Sequence, residues 1–524
     1  MPDHGGSDGG GIRLAELVAS LSLATDLGRG QPMEHSVRET LIALRLADLL
    51  GVDDDDRTAV YYVGLLYDVY CHADAHEQAK WFGDDIALKA GASEADMESV
   101  AFKLTLLRRV GSGEAGVARV RRMAAFPGRG WKELNTFLRT HAHLAAEFAT
   151  KLGLPQTVAA ALGKCYERWD GKGVPDGIRA EQIPLAVRLA TLADVVQVHN
   201  QGGGAEAARR VADERAGRQF DPGLVEVFLD HTDDVLAGVE ATSSWDSVIG
   251  AEPGLARAIP DEELDGVLAA VADLVDMKSP YTAGHSRGVG NLAAEAARIS
   301  AMANEEVVAL RRAGYVHDLG RLGISNAIWE KPGSLTAAEL ERVRLHPYLS
   351  DRMLAGLAPL RRIRMLAARN RERLDGSGYP AGLSASELSP PDRLLAAADV
   401  YHAMSEPRAH RDALPPTTAV AELRAEVKAG RLDGDAVNAV LKATGHRAPA
   451  RREWPAGLTA REVEVLGLLA RGYQNKEIAR RIVVTPKTVS THVEHIYAKV
   501  GVFSRAGATL FATQRGLVGS FEAR

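Results

Sequence analysis

Apolar residues recur at every third or fourth position along most of the chain, a spacing typical of amphipathic helices. The first such run includes Leu14, Leu17, Val18 and Leu21, and a comparable run begins at Leu264. Strand-like alternation of apolar and polar residues is scarce throughout the sequence. The pattern therefore predicts an all-α protein.

The two helical regions share the spacing of the residues that could carry chemistry. His35 and Asp68 are 33 residues apart, and so are His285 and Asp318. An interval of 29 residues separates His141 from Asp170 and His346 from Asp375, and an interval of 24 residues separates Asp170 from Asp194 and Asp375 from Asp399. Three matching intervals between matching residue types indicate two copies of one domain.

One stretch differs in length between the copies. It spans 102 residues in the first copy, from Asp68 to Asp170, and only 57 residues in the second. The first copy therefore carries an insertion of 45 residues between roughly Asp74 and Gly130. Both copies, including this insertion, are predicted to be helical.

Length and local composition divide the chain into domains and connecting segments. At about 150 residues per domain, a chain of 524 residues suggests roughly three domains. The Gly-rich start is predicted to be disordered, and the helical pattern weakens at two later places. The predicted division is a disordered N-terminus (1–12), the first copy (13–232), a linker (233–260), the second copy (261–444), a second linker (445–457) and a C-terminal domain (458–524).

The composition is that of an ordinary globular protein, with 46% hydrophobic and 25% charged residues. No apolar run approaches the roughly 18 residues that a membrane span needs. The first eleven residues lack the basic flank of a secretory signal. The two cysteines, Cys71 and Cys165, have no metal-ligand spacing, which fits a reducing compartment. We therefore expect a cytoplasmic protein without a membrane partner.

Charge is unevenly distributed along the chain. Residues 458–524 contain ten Lys or Arg and five Asp or Glu, which gives this segment a net charge of +5. Because the whole chain carries −6, the rest of it carries −11. A basic end on an acidic body predicts that nucleic acid binds at the C-terminus only.

One stretch of the second copy is the strongest candidate for chemistry. His317 and Asp318 follow an apolar run and precede a Gly-rich turn. His285, His346 and Asp399 are the residues that could complete a metal site around this pair. Histidine and carboxylate ligands suit iron, manganese or zinc.

The motifs of the second copy resemble those of HD-GYP domains, a branch of the HD metal-dependent phosphohydrolases. The resemblance covers about Asp261 to Leu441 and includes the stretch HDLGRLGI from His317, KPGSLT from Lys331 and ERLDGSGYP from Glu372. It implies an all-α fold with a metal in the middle of a helix bundle. It also implies phosphodiesterase chemistry on cyclic di-GMP.

The resemblance assigns roles to residues of the second copy. The core metal ligands correspond to His285, His317, Asp318 and Asp399, and a further ligand of multinuclear sites corresponds to His346. The family's paired histidines fall on Asn370 and Arg371, and a guanidinium cannot ligate a cation. We therefore expect one divalent transition metal, iron, manganese or zinc, rather than a centre of two or three ions.

Further residues follow from the same resemblance. If the second copy is active, Asp318 and Arg321 are its catalytic residues, because Arg321 stands where the family has a lysine. The predicted ligand-binding residues are Arg371, Tyr379 of the Gly-Tyr-Pro signature, Arg408 and Arg411. His402, one turn after Asp399, is interpreted either as a histidine on the helix surface or as an additional metal ligand.

The first copy is similar but degenerate. Its position for the histidine of the His-Asp pair is Tyr67, and the paired-histidine positions hold Cys165 and Tyr166. Because neutral tyrosine is a poor ligand, we expect neither a metal nor catalysis there. A structural role and a role as a ligand-sensing pocket both remain open.

The C-terminal domain shows the spacing of a helix-turn-helix. Thr459 and Glu462 form a capping box at the start of a first helix. A short helix over Asn475–Arg481, a tight turn and a longer helix over Pro486–Val500 follow. This succession is typical of helix-turn-helix domains. The alternative is a small helical bundle that does not bind DNA.

The sequence of this domain closely resembles the LuxR-type helix-turn-helix from about Leu458 to Leu517. The resemblance rests on LTAREVEVL from Leu458, on NKEIA from Asn475 and on KVGV from Lys499. It implies a domain of four helices in which Pro486–Val500 enters the major groove, and a homodimer on paired half-sites. The candidate contacts to bases and phosphates are Lys487, Thr488, Ser490 and Thr491, with Arg480, Arg481, Lys499 and Arg505 nearest the DNA backbone.

Together these features predict a one-component transcription regulator of the bacterial cytoplasm, associated with the nucleoid when bound to DNA. In this hypothesis the HD-type copies bind a cyclic dinucleotide, another phosphorylated small molecule or a metal, and the LuxR-type domain binds double-stranded DNA. The alternative hypothesis is an active metal-dependent phosphodiesterase coupled to a DNA-binding domain. Metal content per chain and turnover of cyclic dinucleotides distinguish the two.

Overall fold

The structure, a computed structural model of the chain, describes residues 11–112, 116–240, 244–254, 257–445 and 454–518. Residues 1–10 of the predicted disordered segment and residues 446–453 of the second predicted linker lie outside these ranges. Within them the chain is helical apart from two strands of two residues each. The predicted all-α fold is confirmed.

The described residues form two compact units. The first contains the chain up to Asp261 together with Gly356–Ala358, and the second contains the remainder. The first unit therefore holds the first copy, and the second unit holds the second copy and the C-terminal domain. No helix in the described ranges is both long and apolar enough to cross a lipid bilayer.

In its described residues the first unit contains thirteen α-helices and one short antiparallel strand pair. Strand β1 (Ile12–Arg13) pairs with β2 (Ala258–Ile259). The helices are α1 (Leu14–Gly28), α2 (His35–Leu50), α3 (Asp54–Leu66), α4 (Ala75–Phe82), α5 (Asp85–Ser93), α6 (Val100–Arg109), α7 (Gly116–Ala125), α8 (Trp131–Lys151), α9 (Gln156–Leu162), α10 (Leu185–Arg215, kinked at Gly204), α11 (Pro222–Asp230), α12 (Thr232–Leu236) and α13 (Ser244–Gly250).

The second copy consists of ten helices within the described residues of the second unit. They are α14 (Asp261–Asp276), α15 (His285–Ile299), α16 (Asn304–Val316), α17 (Asn326–Trp329), α18 (Ala337–Arg344), α19 (His346–Met353), α20 (Arg361–Ala368), α21 (Pro390–Ser405), α22 (Pro416–Lys428) and α23 (Gly434–Ala443). A 3₁₀ turn over Leu319–Gly323 follows α16 directly. The His-Asp pair therefore lies where α16 ends.

The helix that carries the first histidine is held in the same way in both copies. The carboxylate of Asp26 accepts hydrogen bonds from the backbone N–H of Ser36 (3.0 Å) and from its hydroxyl (2.6 Å). Asp276 accepts the corresponding bonds from Ser286 at 2.8 and 2.7 Å. Each carboxylate satisfies a free N–H in the first turn of α2 or α15. This contact fixes the start of the helix, where the histidine lies.

The segment predicted as the first linker has structure of its own. Residues 233–260 include most of α12, all of α13 and strand β2. Strand β2 pairs with Ile12 and Arg13. This strand pair joins the beginning of the first unit to its end. The division of the chain into domains stays a prediction.

The C-terminal domain has the four predicted helices, α24 (Ala460–Ala470), α25 (Asn475–Arg481), α26 (Pro486–Val500) and α27 (Arg505–Gln514). The predicted capping box is present, because the Thr459 hydroxyl accepts from the Glu462 N–H while the Glu462 carboxylate accepts from the Thr459 N–H. Val463, Leu466 and Val489 are fully buried in the core of this domain. The apolar face of the longer helix thus points inward and its polar face outward.

Candidate functional site

The predicted metal ligands of the second copy come together at one buried point. Nε2 of His285 lies 3.8 Å from an Asp318 oxygen and 3.4 Å from an Asp399 oxygen. Nε2 of His317 lies 3.5 Å from Asp318 and 3.8 Å from Asp399. Nε2 of His346 lies 3.7 Å from Asp318. All five side chains are almost completely inaccessible to solvent.

The Nε2 atoms of His317 and His346 are suited to bind a cation. Nδ1 of His317 donates to the Gly314 carbonyl (2.8 Å) and Nδ1 of His346 to the Val343 carbonyl (2.6 Å). Each Nε2 then carries a lone pair, and neither Nε2 has a hydrogen-bond partner among the described residues. Orienting Nδ1 contacts of this kind are typical of metal-ligating histidines. The side chains therefore fit a metal ion.

The protonation of the cluster is consistent with this fit. Burial lowers the pKa of His317, and it lowers the pKa of His346 to about 3, so both rings are neutral. Burial alone would raise the pKa of Asp318, but His317 and Arg321 hold this pKa below its usual range. The cluster therefore offers neutral imidazoles and an ionised carboxylate, the forms that bind divalent metals.

His285 differs from the other two histidines. Burial would lower its pKa, but Glu406 and Asp399 outweigh burial and raise the pKa to about 9. Nδ1 of His285 lies 2.8 Å from the Glu406 carboxylate. The cluster therefore attracts positive charge at Nε2 of His285, which can be supplied by a proton or by a metal ion.

The residues at the predicted paired-histidine positions, Asn370 and Arg371, both contact Asp399. Nη2 of Arg371 lies 3.2 Å from Oδ2 of Asp399, and Nδ2 of Asn370 donates to the same oxygen at 3.3 Å. The other oxygen of Asp399 faces His285. Nη2 of Arg371 also lies 3.4 Å from this second oxygen, so a fixed positive charge contacts both oxygens of Asp399.

Arg321 contacts the cluster from its own loop. Nη1 of Arg321 lies 3.2 Å from Asp318, and its guanidinium lies 3.8 Å from the centre of the Trp329 ring. A guanidinium over an aromatic face is stabilised by the ring quadrupole. This side chain is therefore held beside the cluster by both an ion pair and a stacking contact.

A basic pocket of about 260 Å³ lies next to the cluster. Arg321 and the three predicted ligand-binding arginines, Arg371, Arg408 and Arg411, all line it. Tyr379 does not line this pocket; its ring packs edge-on against His346, with 6.0 Å between the ring centres. Four guanidinium groups give this pocket an excess of positive charge, which suits an anionic ligand such as phosphate. Three of them pair with Asp318, Asp399 and Glu406, and Arg411 donates to backbone carbonyls, so an anion would compete with these partners.

Glu406 connects the cluster with this pocket, and the sequence analysis missed it. Its carboxylate contacts His285 (2.8 Å), His402 (3.2 Å) and Arg408 (3.3 Å). His402 is half-buried and lies behind His285, against its Nδ1 side. The available signal was helical spacing, because Glu406 follows His402 by four residues and Asp399 by seven.

The Gly-Tyr-Pro loop is held by one buried carboxylate. Glu372 accepts hydrogen bonds from the backbone N–H groups of Ala381 and Leu383, each at 2.8 Å. A Cβ added at Gly378 would lie 2.4 Å from the backbone of Glu372 and Arg373. Only glycine permits this close approach. The signature thus fixes the loop that precedes α21, the helix carrying Asp399.

In the first copy an arginine occupies the equivalent point. Nη1 of Arg29 lies 2.8 Å from Asp68, and Nη2 lies 3.1 Å from Asp194. Nε2 of His35 contacts the same Asp194 at 3.0 Å. The ligand atoms of His35, Glu39 and Asp194 are close enough together for a cation, but the guanidinium already pairs with the two aspartates. Arg29 precedes His35 by six residues, where the second copy has Ser279.

The substituted positions of the first copy serve local hydrogen bonds. The hydroxyl of Tyr67 bonds that of Thr191 at 3.0 Å. The hydroxyl of Tyr166 donates to Asp68 at 3.2 Å. Burial raises the pKa of both tyrosines well above the usual range, so neither becomes an anionic ligand.

The predicted DNA-contacting residues of α26 lie on its outer face. Lys487, Thr488 and Thr491 are exposed, and Ser490 is half-buried and accepts from Asn475 at 3.1 Å. Arg480 and Arg481 are exposed on α25.

The other two predicted contacts have partners within the domain. Nζ of Lys499 lies 2.7 Å from the buried carboxylate of Glu462. The guanidinium of Arg505 donates to the carbonyls of Leu469 (3.1 Å) and Tyr473. Both residues thus fasten the helices of this domain to one another, and their contacts with DNA stay a prediction.

Family models match most of the domains described above. A model described as "HD domain" matches residues 130–223 and 269–436, half of the chain. The chain belongs to the HD-domain family. A second model, "Bacterial regulatory proteins, luxR family", matches residues 456–512. The two resemblances drawn from the motifs are thereby confirmed, and this HD-domain protein carries a LuxR-type helix-turn-helix domain.

Two relatives of the chain are named as cyclic dinucleotide phosphodiesterases. The chain is 32% identical to 3'3'-cGAMP-specific phosphodiesterase 3 of Vibrio cholerae over 412 residues, which cover 78% of this chain and 90% of the relative. It is 31% identical to the cyclic di-GMP phosphodiesterase response regulator RpfG of Xanthomonas campestris over 179 residues, 33% of this chain and 47% of the relative.

The fold of this HD-domain protein also resembles a solved structure. A cyclic GMP-AMP specific phosphodiesterase of V. cholerae superposes with a TM-score of 0.59 at 29% identity, covering 84% of this chain and 99% of that one. HD-domain phosphodiesterases are generally metal-dependent. The unpartnered Nε2 atoms of the second copy agree with that general property.

Proposed function

We propose that this HD-domain protein is a one-component transcription regulator. Its LuxR-type domain binds double-stranded DNA as a homodimer, and its second HD copy binds a cyclic dinucleotide at the metal cluster and the adjoining basic pocket. The protein acts in the bacterial cytoplasm, on the nucleoid. The observation that carries the proposal is a loop that contacts both the basic pocket and the DNA-binding domain.

This loop, Glu406–Leu414, follows the helix that bears Asp399. Arg408 and Arg411 line the basic pocket, and Glu406 holds His285. Asp412, in the same loop, lies 3.3 Å from the Tyr473 hydroxyl and 3.4 Å from Nη2 of Arg481. A ligand that moves the arginines therefore also moves a contact of the DNA-binding domain.

The chemistry of the pocket supports a cyclic dinucleotide. Such a ligand carries two phosphodiester anions, which guanidinium groups bind through paired hydrogen bonds. Nη2 of Arg408 lies 3.3 Å from Oε2 of Glu406. A phosphate bound at Arg408 therefore competes with Glu406 for the guanidinium. The names of the two relatives point to the same class of ligand.

A metal ion would be held by His285, His317, Asp318 and Asp399, with His346 as a further ligand. When bound, it supplies a Lewis acid that neutralises phosphate charge. The residues of the chain have separate tasks: Glu406 orients the His285 ring, Asn370 and Arg371 hold Asp399, and Arg321 holds Asp318. We propose that these contacts hold one ion and exclude a second.

The test uses the full chain. Cyclic di-GMP and 3'3'-cGAMP are titrated by calorimetry with and without manganese, and DNA affinity is measured by gel shift at each ligand concentration. We expect saturable binding of at least one nucleotide and a change in DNA affinity of threefold or more. Arg408→Ala should weaken nucleotide binding about tenfold or more, whereas Arg424→Ala, an exposed arginine of the same domain, should not.

The proposal fails if neither nucleotide binds, or if a nucleotide binds and DNA affinity stays the same. A chain that binds neither genomic nor random duplex DNA at low salt also contradicts it. Each failure concerns a different part of the proposal, because nucleotide binding and DNA binding are measured separately.

A second candidate function is phosphodiesterase activity, and the unpartnered Nε2 atoms of the cluster favour it. Arg371 argues against it, because Arg371 stands where the family has a ligand histidine, and a guanidinium cannot ligate a second metal ion. Turnover of both nucleotides with manganese or iron, assayed by product chromatography, distinguishes the two functions. Metal-dependent turnover that disappears in Asp318→Ala would establish the enzyme; its absence with retained binding supports the regulator.

A further inference from the structure

The first HD copy contains a pocket that the proposed function does not use. It has a volume of about 190 Å³ and lies beside the ion pair between Arg29 and Asp68. Most of its walls are apolar and are formed by Leu88, Ala92, Phe102, Leu106, Leu134 and Leu138. It occupies the region that corresponds to the metal cluster of the second copy.

The insertion builds most of these walls. Helices α5 and α6 lie within the 45 additional residues of the first copy, and they contribute Leu88, Phe102 and Leu106. These side chains form an apolar cluster with Phe82 and Phe126. The second copy lacks the insertion, so the pocket is particular to the first copy.

The charged groups that line the pocket are already paired. Arg29 pairs with Asp68 and Asp194, and the guanidinium of Arg168 contacts Asp96 at 2.9 Å. Lys89 contacts Asp85, and Glu167 accepts two backbone N–H groups. An ionic ligand would have to displace one of these partners. The pocket therefore favours an uncharged molecule.

Besides Oε2 of Glu167, two buried acceptors on Gln78 and His141 remain. Nε2 of Gln78 donates to Asp74 at 2.9 Å, and Nε2 of His141 faces the same carboxylate. Oε1 of Gln78 and Nδ1 of His141 have no hydrogen-bond partner among the described residues, although Gln78 is 7% exposed and His141 4%. Both residues line the pocket. Buried acceptors without a partner cost stability, which a ligand donor would restore.

We propose that this pocket binds a small uncharged ring compound that donates a hydrogen bond to Gln78 or His141. A cavity of about 150 Å³ holds benzene, so this pocket accommodates a benzene ring with a few substituents. It is too small for a cyclic dinucleotide. The ligand class of the first copy is therefore different from that of the second.

The experiment measures binding of three probes to the full chain by ligand-observed NMR and calorimetry. Phenol has the ring and the donor, toluene has the ring only, and benzoate has the ring with a negative charge. We expect one phenol site per chain, weaker binding of toluene, and the weakest binding of benzoate. Gln78→Leu should weaken the binding of phenol about fivefold and leave the binding of toluene unchanged.

A filled pocket provides the second comparison. Ala92→Phe places a ring in the pocket and should abolish phenol binding, whereas Ala87→Phe, on the exposed side of the same helix, should preserve it. Thermal unfolding of each variant verifies that the first unit is folded. Equal binding of all three probes, absence of phenol binding, or unchanged phenol affinity in folded Ala92→Phe would overturn the proposal. None of these results depends on DNA or nucleotide binding.

Discussion

The guanidinium of Arg371 lies 3.2 Å from Oδ2 of Asp399, while Oδ1 of the same carboxylate faces Nε2 of His285 at 3.4 Å. The same guanidinium nitrogen lies 3.4 Å from Oδ1, so a fixed cation and the candidate metal position share one carboxylate. Burial alone would raise the pKa of Asp399, but Arg371 and His285 hold this pKa well below its usual range. A second metal ion at the guanidinium would be repelled by its charge.

The first prediction concerns the number of metal ions. The double substitution Asn370→His and Arg371→His removes the guanidinium and adds two imidazole ligands, so the metal content should rise from about one to about two ions per chain. Elemental analysis of protein purified with excess manganese measures this. Arg369→His, whose guanidinium contacts Asp392 instead, is the control. Unchanged content in the double variant would contradict the role of Arg371.

The second prediction concerns the cluster itself. His317→Ala removes one of the converging Nε2 atoms and should reduce the metal content of the chain from about one ion to near zero. Added manganese should raise the unfolding temperature of the unmodified chain but not that of the variant, because a ligand of the native state stabilises it. His231→Ala, a half-exposed histidine of the first unit, is the control. Two or more ions in the unmodified chain, or none under metal-replete conditions, would refute the single site.

The third prediction concerns the contact between Asp412 and Arg481. Asp412→Asn removes a negative charge beside a predicted phosphate contact and should increase DNA affinity about twofold to fivefold, since exposed ion pairs contribute up to about 1 kcal/mol. Gel-shift titration at low salt measures this. Glu422→Gln, the same change of charge at an exposed position of the same domain, should have little effect. Weaker DNA binding by Asp412→Asn would mean that the contact supports the DNA-bound form.

The fourth prediction concerns DNA recognition. Affinity should fall steeply with salt, because cationic contacts to phosphates release condensed counterions. Lys487→Ala or Thr488→Ala should alter the preference among sequences at a cost of about 1–3 kcal/mol if the side chain contacts a base. Arg480→Ala should weaken binding to all sequences. It should also lower the salt slope, which is the slope of log affinity against log salt concentration, by about one. Lys428→Ala removes one positive charge at an exposed position of α22 and is the control. If this variant lowers the salt slope as much as Arg480→Ala does, the predicted DNA-binding surface is wrong.

The fifth prediction concerns pH and the pair formed by Glu462 and Lys499. Burial alone would raise the pKa of Glu462, but Lys499 and Thr459 outweigh it and lower the pKa to about 2. A carboxylate with a lowered pKa in the folded state stabilises the domain above about pH 4.5, and this contribution is lost as the pH falls towards 2.

Lys499→Met should therefore destabilise the C-terminal domain near neutral pH by on the order of 1 kcal/mol. The variant domain should also lose less stability than the unmodified domain when the pH falls from about 4.5 to 2. Unfolding of the full chain, followed at several pH values, measures both effects. Arg515→Met, in the same domain, is the control. Lys499 is also a predicted contact of the DNA backbone, so gel shifts of the same variant separate the two roles. Weaker DNA binding at full stability would favour the phosphate contact.

The sequence by itself determined the fold class and indicated the candidate functional residues. Helical periodicity predicted the all-α fold, and the repeated intervals around His35 and His285 predicted two copies. The helices of the C-terminal domain, with the capping box at Thr459, could be predicted almost to the residue. These features depend on short-range preferences and on spacing along a helix, and both can be read from the linear order of residues.

Only the tertiary structure decided which charges meet. Arg29 precedes Asp194 by 165 residues in the sequence. Its guanidinium nevertheless lies between Asp68 and Asp194, at the point that corresponds to the candidate metal position of the second copy. Arg371 reaches Asp399 and Lys499 reaches Glu462 through similar long-range contacts. A long charged side chain can point to solvent or to a buried partner, and packing of distant helices selects between them. The sequence thus indicated the candidate metal ligands, and the three-dimensional fold decided which cationic side chain pairs with each carboxylate.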